Sequence, residues 1–168
     1  MGPVAAWRDA VDLRSPAWPL LLLKRVEKGV DGLQKVIEAW KAKDVEAVLA
    51  HMSDDIVWHF AAAALPPVCG KAEARKLLTR FQADMHEIRW RIFASAETGD
   101  RLFVEGVDEY RNAAGTWIAA PYAGVLDFIG DRISGWRDYV DTSVIAAQRE
   151  GVEPSAQVKA LIQRPEAT

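Results

Sequence analysis

Over residues 30–43 the apolar positions Leu33, Val36, Ile37 and Trp40 recur at helical spacing, while Lys35, Glu38 and Lys41 fall on the other side. That pattern predicts an amphipathic helix. Asp44 reads as the N-cap of a second helix, which buries Val45, Val48, Leu49 and Met52 and ends near Ser53, Asp54 and Asp55. Residues 56–60, Ile-Val-Trp-His-Phe, are rich in strand formers and predict a short strand. The four alanines that follow are ambiguous, and Leu65-Pro66-Pro67-Val68-Cys69-Gly70 reads as a loop. Helical period returns over 71–81 through Ala74, Leu77, Leu78 and Phe81. Upstream, Pro19 suits the first turn of a short helix ending at Gly29, preceded by a loosely held arm over 1–17.

Beyond residue 87 the period changes from helical to two. Ile88, Trp90 and Ile92 alternate with Arg89 and Arg91, and Leu102, Val104, Gly106, Asp108 and Tyr110 share one face of the next strand. Turns at Gly99-Asp100, at 112–115 and at Gly130-Asp131 connect two further strands, over 116–128 and 132–141. A last helix is expected over 142–149, with a tail beyond it. Helices followed by a meander of long strands make an α+β arrangement in which helices cover one side of a mostly antiparallel sheet. The expected organisation is an arm and short helix over 1–29, one domain over 30–149 and a tail over 150–168.

Composition narrows the function classes. With 24 acidic and 21 basic residues there is no basic stripe to neutralise a phosphate backbone, so nucleic acid is not an expected partner. One cysteine and three scattered histidines offer neither an internal disulfide nor zinc-ligand spacing, and no metal or cofactor is expected. The apolar run at 18–23 is too short to span a bilayer and has neither the charge order nor the cleavage site of a secretory signal, so the expected setting is the cytoplasm, with no membrane partner.

The residues that demand a reason are Asp108 and Asp138. Aspartate is a poor strand former and an unpaired buried charge is costly, yet both fall on the apolar face of a strand, Asp138 beside Trp136 and Val140. Two neighbouring carboxylates cannot both ionise easily, which leaves one proton to donate while the other group accepts. The competing reading pairs Asp138 with Arg137 or Arg132 on an exposed face and puts Asp108 at a frayed strand end.

Leu65-Pro66-Pro67-x-x-Gly70, Val104-Glu105-Gly106-Val107-Asp108, Gly124-Val125 and Gly135-Trp136-Arg137-Asp138-Tyr139-Val140-Asp141, in this order, resemble the limonene-1,2-epoxide hydrolase family. That family lies in the SnoaL-like branch of the nuclear transport factor 2-like superfamily. The resemblance covers roughly residues 30–141. It implies a cone-shaped roll, a curved sheet wrapped on about three helices around a deep apolar pocket, no metal, and a homodimer. It also implies that Asp108 activates water and Asp138 protonates an epoxide oxygen.

Other family positions differ. The arginine that bridges the two carboxylates is replaced by Gly106, and the tyrosine and asparagine that hold water fall on Trp58 and Phe60. Loss of the guanidinium is expected to open room at Gly106 for a bulkier substrate and to raise the shared proton's pKa. Trp58 and Phe60 supply flat apolar walls for an aromatic or terpenoid ring. Tyr110 and Tyr122 add hydroxyls, unless each is an ordinary buried tyrosine with a backbone partner. His59 alternates away from Trp58 and Phe60, and a one-residue slip in register would bring it into the site. The expected substrate-binding set is therefore Trp58, Phe60, Gly106, Tyr110, Tyr122, Trp136, Val140 and His59. Epoxide opening is the reaction most directly implied. A lyase, dehydratase or isomerase using the same pair is the alternative, followed by a binding protein for small hydrophobic ligands.

Overall fold

The computed structural model describes residues 18–167, with side chains from residue 29 onward. The arm over 1–17 lies outside the described residues. The first helix, α1 (Trp18–Lys41), is continuous across the expected break at Gly29. Gly29 lies within the helix where strand β3 (Glu87–Thr98) approaches it: the Glu97 carboxylate accepts from the backbone N–H groups of Gly29 and Val30 at 2.8 and 3.0 Å. Leu33, Val36, Ile37 and Trp40 are all buried, as their spacing requires.

Helix α2 (Val45–Ala50) starts at Asp44, whose side chain accepts from the Ala47 amide at 2.9 Å. It stops earlier than expected, and strand β1 (Met52–His59) follows at once. Ser53, Asp54 and Asp55 are strand residues. Between Met52 and Val57 the pairing of β1 shifts register, so these polar residues ride on a bulge with Met52 and Ile56 fully buried on either side. Residues 61–64 form a turn, and Val68 and Cys69, expected in a loop, form a short strand β2 (Val68–Cys69) against Val57 and Trp58. Helix α3 (Lys71–Asp84) runs three residues past Phe81.

Strands β3 (Glu87–Thr98), β4 (Arg101–Arg111), β5 (Trp117–Ile129) and β6 (Arg132–Val140) form the antiparallel meander, and β6 then pairs in parallel with β1. The result is an α+β fold with an open six-stranded sheet in the order β2-β1-β6-β5-β4-β3. Helices α1 to α3 and the inner face of the sheet enclose one core in which Met52, Ile56, Leu102, Ile118 and Leu126 are fully buried.

Two elements complete the frame. Helix α4 (Thr142–Arg149) is capped by Asp141, and its buried Gln148 bonds both the N–H and the C=O of Ala119, at 3.0 and 2.8 Å. These bonds satisfy the β5 backbone beyond the point where β6 ends, and they fix α4 at one end of the core. The stretch expected to be a tail contains α5 (Ala156–Ile162), which lies on the outer face of the sheet. Arg91 donates to the Ile162 carbonyl at 2.8 Å, Arg164 pairs with Glu105, and the Ala167 amide donates to the Ile92 carbonyl at 2.8 Å. Ile162 packs there over Phe93, Val107 and Ala119.

Candidate active site

A cavity of about 350 Å³ lies between the inner face of the sheet and the helices, walled by aromatic and aliphatic side chains. Strand alternation decides which residues reach it. On β4 every second residue from Leu102 to Tyr110 points inward, which brings Asp108 and Tyr110 to the cavity; on β6 the same rule brings Trp136, Asp138 and Val140. Trp58 comes from β1, where it pairs level with Trp136, and Phe60 follows just beyond the strand. The indoles of Trp58 and Trp90 lie on either side of Trp136, with ring centroids 5.5 and 5.8 Å from it.

The register places the two carboxylates on either side of β5. Asp108 is level with Ala120, and Asp138 is level with Gly124, four residues further along β5; Tyr122 stands between these two positions. Trp136 Nε1 donates to Asp138 Oδ1 at 2.8 Å, and Trp58 Nε1 lies 3.5 Å from Oδ2. Asp108 Oδ1 is buried with no hydrogen-bond partner. Both residues keep partial exposure, and both line the cavity.

Burial dominates the electrostatics. It raises the Asp108 carboxyl to about 6, with a further push from the charge of Glu109. It raises Asp138 to about 7, opposed by the Trp136 and Trp58 donors and reinforced by the charge of Asp108. No cation pairs with either carboxylate among the described residues. Arg137 binds Asp127 instead, at 2.7 Å, and Asp108 lies well inside β4. The exposed ion pair and the frayed strand end are thus both set aside.

Both tyrosines have side-chain partners rather than backbone ones. Tyr122 Oη accepts from Trp90 Nε1 at 2.6 Å, while Tyr110 Oη accepts from Arg149 Nη2 and Nε at 3.0 and 3.3 Å. Arg149 also holds Asp84 at 2.6 Å. Burial raises both phenols, so each carries its proton.

Two expected site residues are absent from the cavity wall. His59 is on the opposite face of β1, level with Arg137, because the register does not slip there. Gly106 opens no room. A Cβ at this position would come within 2.3 Å of the Arg91 carbonyl oxygen and 3.2 Å of the Tyr122 ring, so the space that an arginine would need is already occupied. Trp90 and Arg149 line the cavity without having been singled out from the sequence. The alternation around Trp90 already marked it as inward-facing, whereas Arg149 reaches the cavity only because Gln148 docks α4. Among the described residues no three histidine, cysteine or acidic side chains group as a metal site, and no helix is long and apolar enough to cross a membrane.

The family model described as a SnoaL-like domain matches residues 33–136, and the protein belongs to that family. Solved structures share the fold at low identity. An LEH-like epoxide hydrolase of M. tuberculosis is 20% identical with a TM-score of 0.64, the match covering 73% of this chain and 90% of that one. A candidate isomerase from Bacillus subtilis is 18% identical with a TM-score of 0.66, over 77% and 97%. A candidate SnoaL-like polyketide cyclase from Shewanella denitrificans OS-217 is 18% identical with a TM-score of 0.64, over 72% and 96%. No curated protein matches the chain.

Proposed function

We propose that the protein is an acid/base enzyme acting on a small, mostly apolar, oxygen-bearing molecule, with Asp138 as proton donor and Asp108 as proton acceptor. The observation that carries this reading is the pair of carboxyl groups that face one largely apolar cavity with no cation paired to either. Burying carboxyl groups away from any cationic partner is costly even when the two share a proton, and a binding protein for apolar ligands has no use for such a pair. Trp136 fixes Asp138 through Oδ1 at 2.8 Å, Oδ2 meets only the longer Trp58 contact at 3.5 Å and can carry the proton, and the bare Oδ1 of Asp108 is free to take one. The cavity lies at the small end of the usual range for ligand sites, about 300–1,000 Å³.

The structural neighbours include an epoxide hydrolase, a candidate polyketide cyclase and a candidate isomerase, and each of these chemistries uses an acid at an oxygen and a base nearby. Trp58 and Phe60 put carbon walls where the resembling family holds water, so proton transfer within the substrate, as in an isomerase, dehydratase or cyclase, is the reaction this site favours. Epoxide opening by water is the second reading. It is favoured by the Tyr110 hydroxyl, which sits two residues from Asp108 on the same face and feels its charge, so that the two could hold a water between them.

Small apolar epoxides and enolisable ketones, offered in deuterated and in oxygen-18 water, separate these readings. Deuterium entering at carbon supports internal proton transfer, and labelled oxygen appearing as a new hydroxyl supports hydrolysis. If neither occurs, and Asp138→Asn leaves ligand affinity unchanged, the protein is a binding module.

A further inference from the structure

We infer that Arg149 and Tyr110 form a carboxylate-binding subsite at the α4 end of the cavity, so that the ligand offered to the acid/base pair is an apolar carboxylic acid bound as its anion. The inference rests on the acid/base reading above only in calling that ligand a substrate.

The docking of α4 sets the geometry. On β5, Ile118 is level with Tyr110 and Ala120 is level with Asp108, and Gln148 grips Ala119, the residue between them, by both its N–H and its C=O. The next residue in the chain is Arg149. Its guanidinium is thereby delivered to Tyr110, whose Oη accepts from Nη2 and Nε at 3.0 and 3.3 Å. Both side chains line the cavity, and Arg149 is the one basic residue in its wall among the described residues. Asp84, the last residue of α3, is not part of that wall and accepts from Nη2 at 2.6 Å.

The hydrogen-bond count leaves donors without acceptors. Arginine has five N–H donors; Nε and Nη2 serve Tyr110 and Asp84, while Nη1 makes no bond among the described residues. Tyr110 Oη acts there only as an acceptor, so its own proton is unspent, and burial keeps that proton on the phenol. A guanidinium beside a hydroxyl proton suits a carboxylate, whose two oxygens accept and never donate. A neutral oxygen would draw less from the cation. Asp84 is 38% exposed, so water and salt screen its hold on the guanidinium. A tie between α3 and α4 needs only Arg149 and Asp84, and does not call for a buried tyrosine that brings its hydroxyl to the same guanidinium from inside the cavity.

The register then orders the ligand. Tyr110 is two residues, roughly 7 Å of strand, from Asp108, and Asp138 lies beyond, level with Gly124. An acid anchored at Arg149 passes its carbon skeleton first by the proton acceptor and then towards the proton donor. The carboxylate is a handle and not the reacting group. In proton transfer within the substrate no water claims the Tyr110 proton, which is left for this handle.

The probes are 2-naphthoate and 2-acetylnaphthalene, which share a shape and differ in charge. Binding is measured by calorimetry at neutral pH and low salt for the native chain, Arg149→Met, Tyr110→Phe and Asp84→Asn, each checked for a cooperative melting transition. The native protein should prefer 2-naphthoate at least fivefold, and added salt should reduce the preference. Arg149→Met should abolish it while changing 2-acetylnaphthalene affinity less than twofold, and Tyr110→Phe should weaken 2-naphthoate threefold or more. Asp84→Asn removes the competing carboxylate and should tighten 2-naphthoate threefold or more, a gain that a merely structural ion pair does not produce. The proposal is overturned by no native preference, by equal losses of both probes in Arg149→Met, or by no gain in Asp84→Asn; if one variant does not fold, the other two decide. The isotope experiments above answer the separate question of catalysis. Isotope uptake without the preference keeps the enzyme and removes the subsite, whereas the preference without uptake keeps the subsite and removes the enzyme.

Discussion

Trp136 and Asp138 lie two residues apart on β6, and the indole Nε1 of the first donates to the carboxylate Oδ1 of the second at 2.8 Å. The strand places both on one face, so the acid carries its own orienting group within three residues of chain. A hydrogen bond to a charged acceptor is worth about 1.5–3 kcal/mol. Trp136→Phe removes the donor and keeps an aromatic ring, and the Asp138 carboxyl, already raised to about 7, should rise further by about one pH unit or more. Carboxyl carbon shifts followed by NMR across pH would report the midpoint, and an unchanged midpoint would mean that this bond does not tune the acid.

Stability should depend on pH in a specific way at Asp138. Its folded pKa is raised from 3.8 to about 7, so its contribution to stability is fully present below about pH 4 and is lost as pH rises through about 7. Asp138→Asn resembles the protonated acid at every pH. The variant should match the native chain near pH 4 and exceed it by roughly 2–4 kcal/mol at pH 9, from about 1.4 kcal/mol per pH unit of displacement. Thermal denaturation at the two pH values measures this. A variant less stable than the native chain at pH 9 would show that the charged form is favoured.

Activity should follow a bell in pH. Asp108 must be ionised and Asp138 protonated, and their values of about 6 and about 7 place the maximum between them, with the two limbs belonging to the pair rather than to either residue alone. Asp108→Asn should lower turnover by about 10² or more and Asp138→Asn by a similar factor. A rate flat from pH 5 to 9 on any accepted substrate would remove both groups from the mechanism.

Gly106→Ala should destabilise the fold by about 1–3 kcal/mol, as overpacking does, because the new Cβ meets the Arg91 backbone oxygen at 2.3 Å beside a bulge in β3 that already sets that strand's path. Calorimetric melting would show it. Gly106→Arg, which would restore the resembling family's bridging cation, should be less stable still rather than more active, and soluble folded Gly106→Arg protein with a native melting temperature would contradict this placement.

What was legible in the sequence was whatever has a short period. The helical spacing of Leu33, Val36, Ile37 and Trp40 and the alternation through Asp108 and Asp138 each follow from one element's own geometry, and each residue lies where that geometry puts it. What was not legible came from contacts between distant elements. Gly29 resembled a helix end because nothing nearby reveals that Glu97 will supply acceptors to its turn. Gly106 resembled an opening because the Arg91 carbonyl arrives from another strand, and residues 53–55 resembled a helix end because a bulge and a loop favour the same polar residues. Arg149 became part of the cavity through a glutamine that caps a strand 29 residues away.

The place of β6 in the sheet has a consequence for how the molecule is made. It is the last strand in the chain, yet it sits in the interior, between β1 and β5. Until residues 132–140 have left the ribosome, the β1–β2 pair and the β3–β5 meander cannot join, and each presents an unpaired edge. The same nine residues carry Trp136 and Asp138. A growing chain therefore has no site to protect and two exposed edges to shield, both resolved by one late insertion, and a truncation or pause just before residue 132 should yield an aggregating species rather than a weakened enzyme.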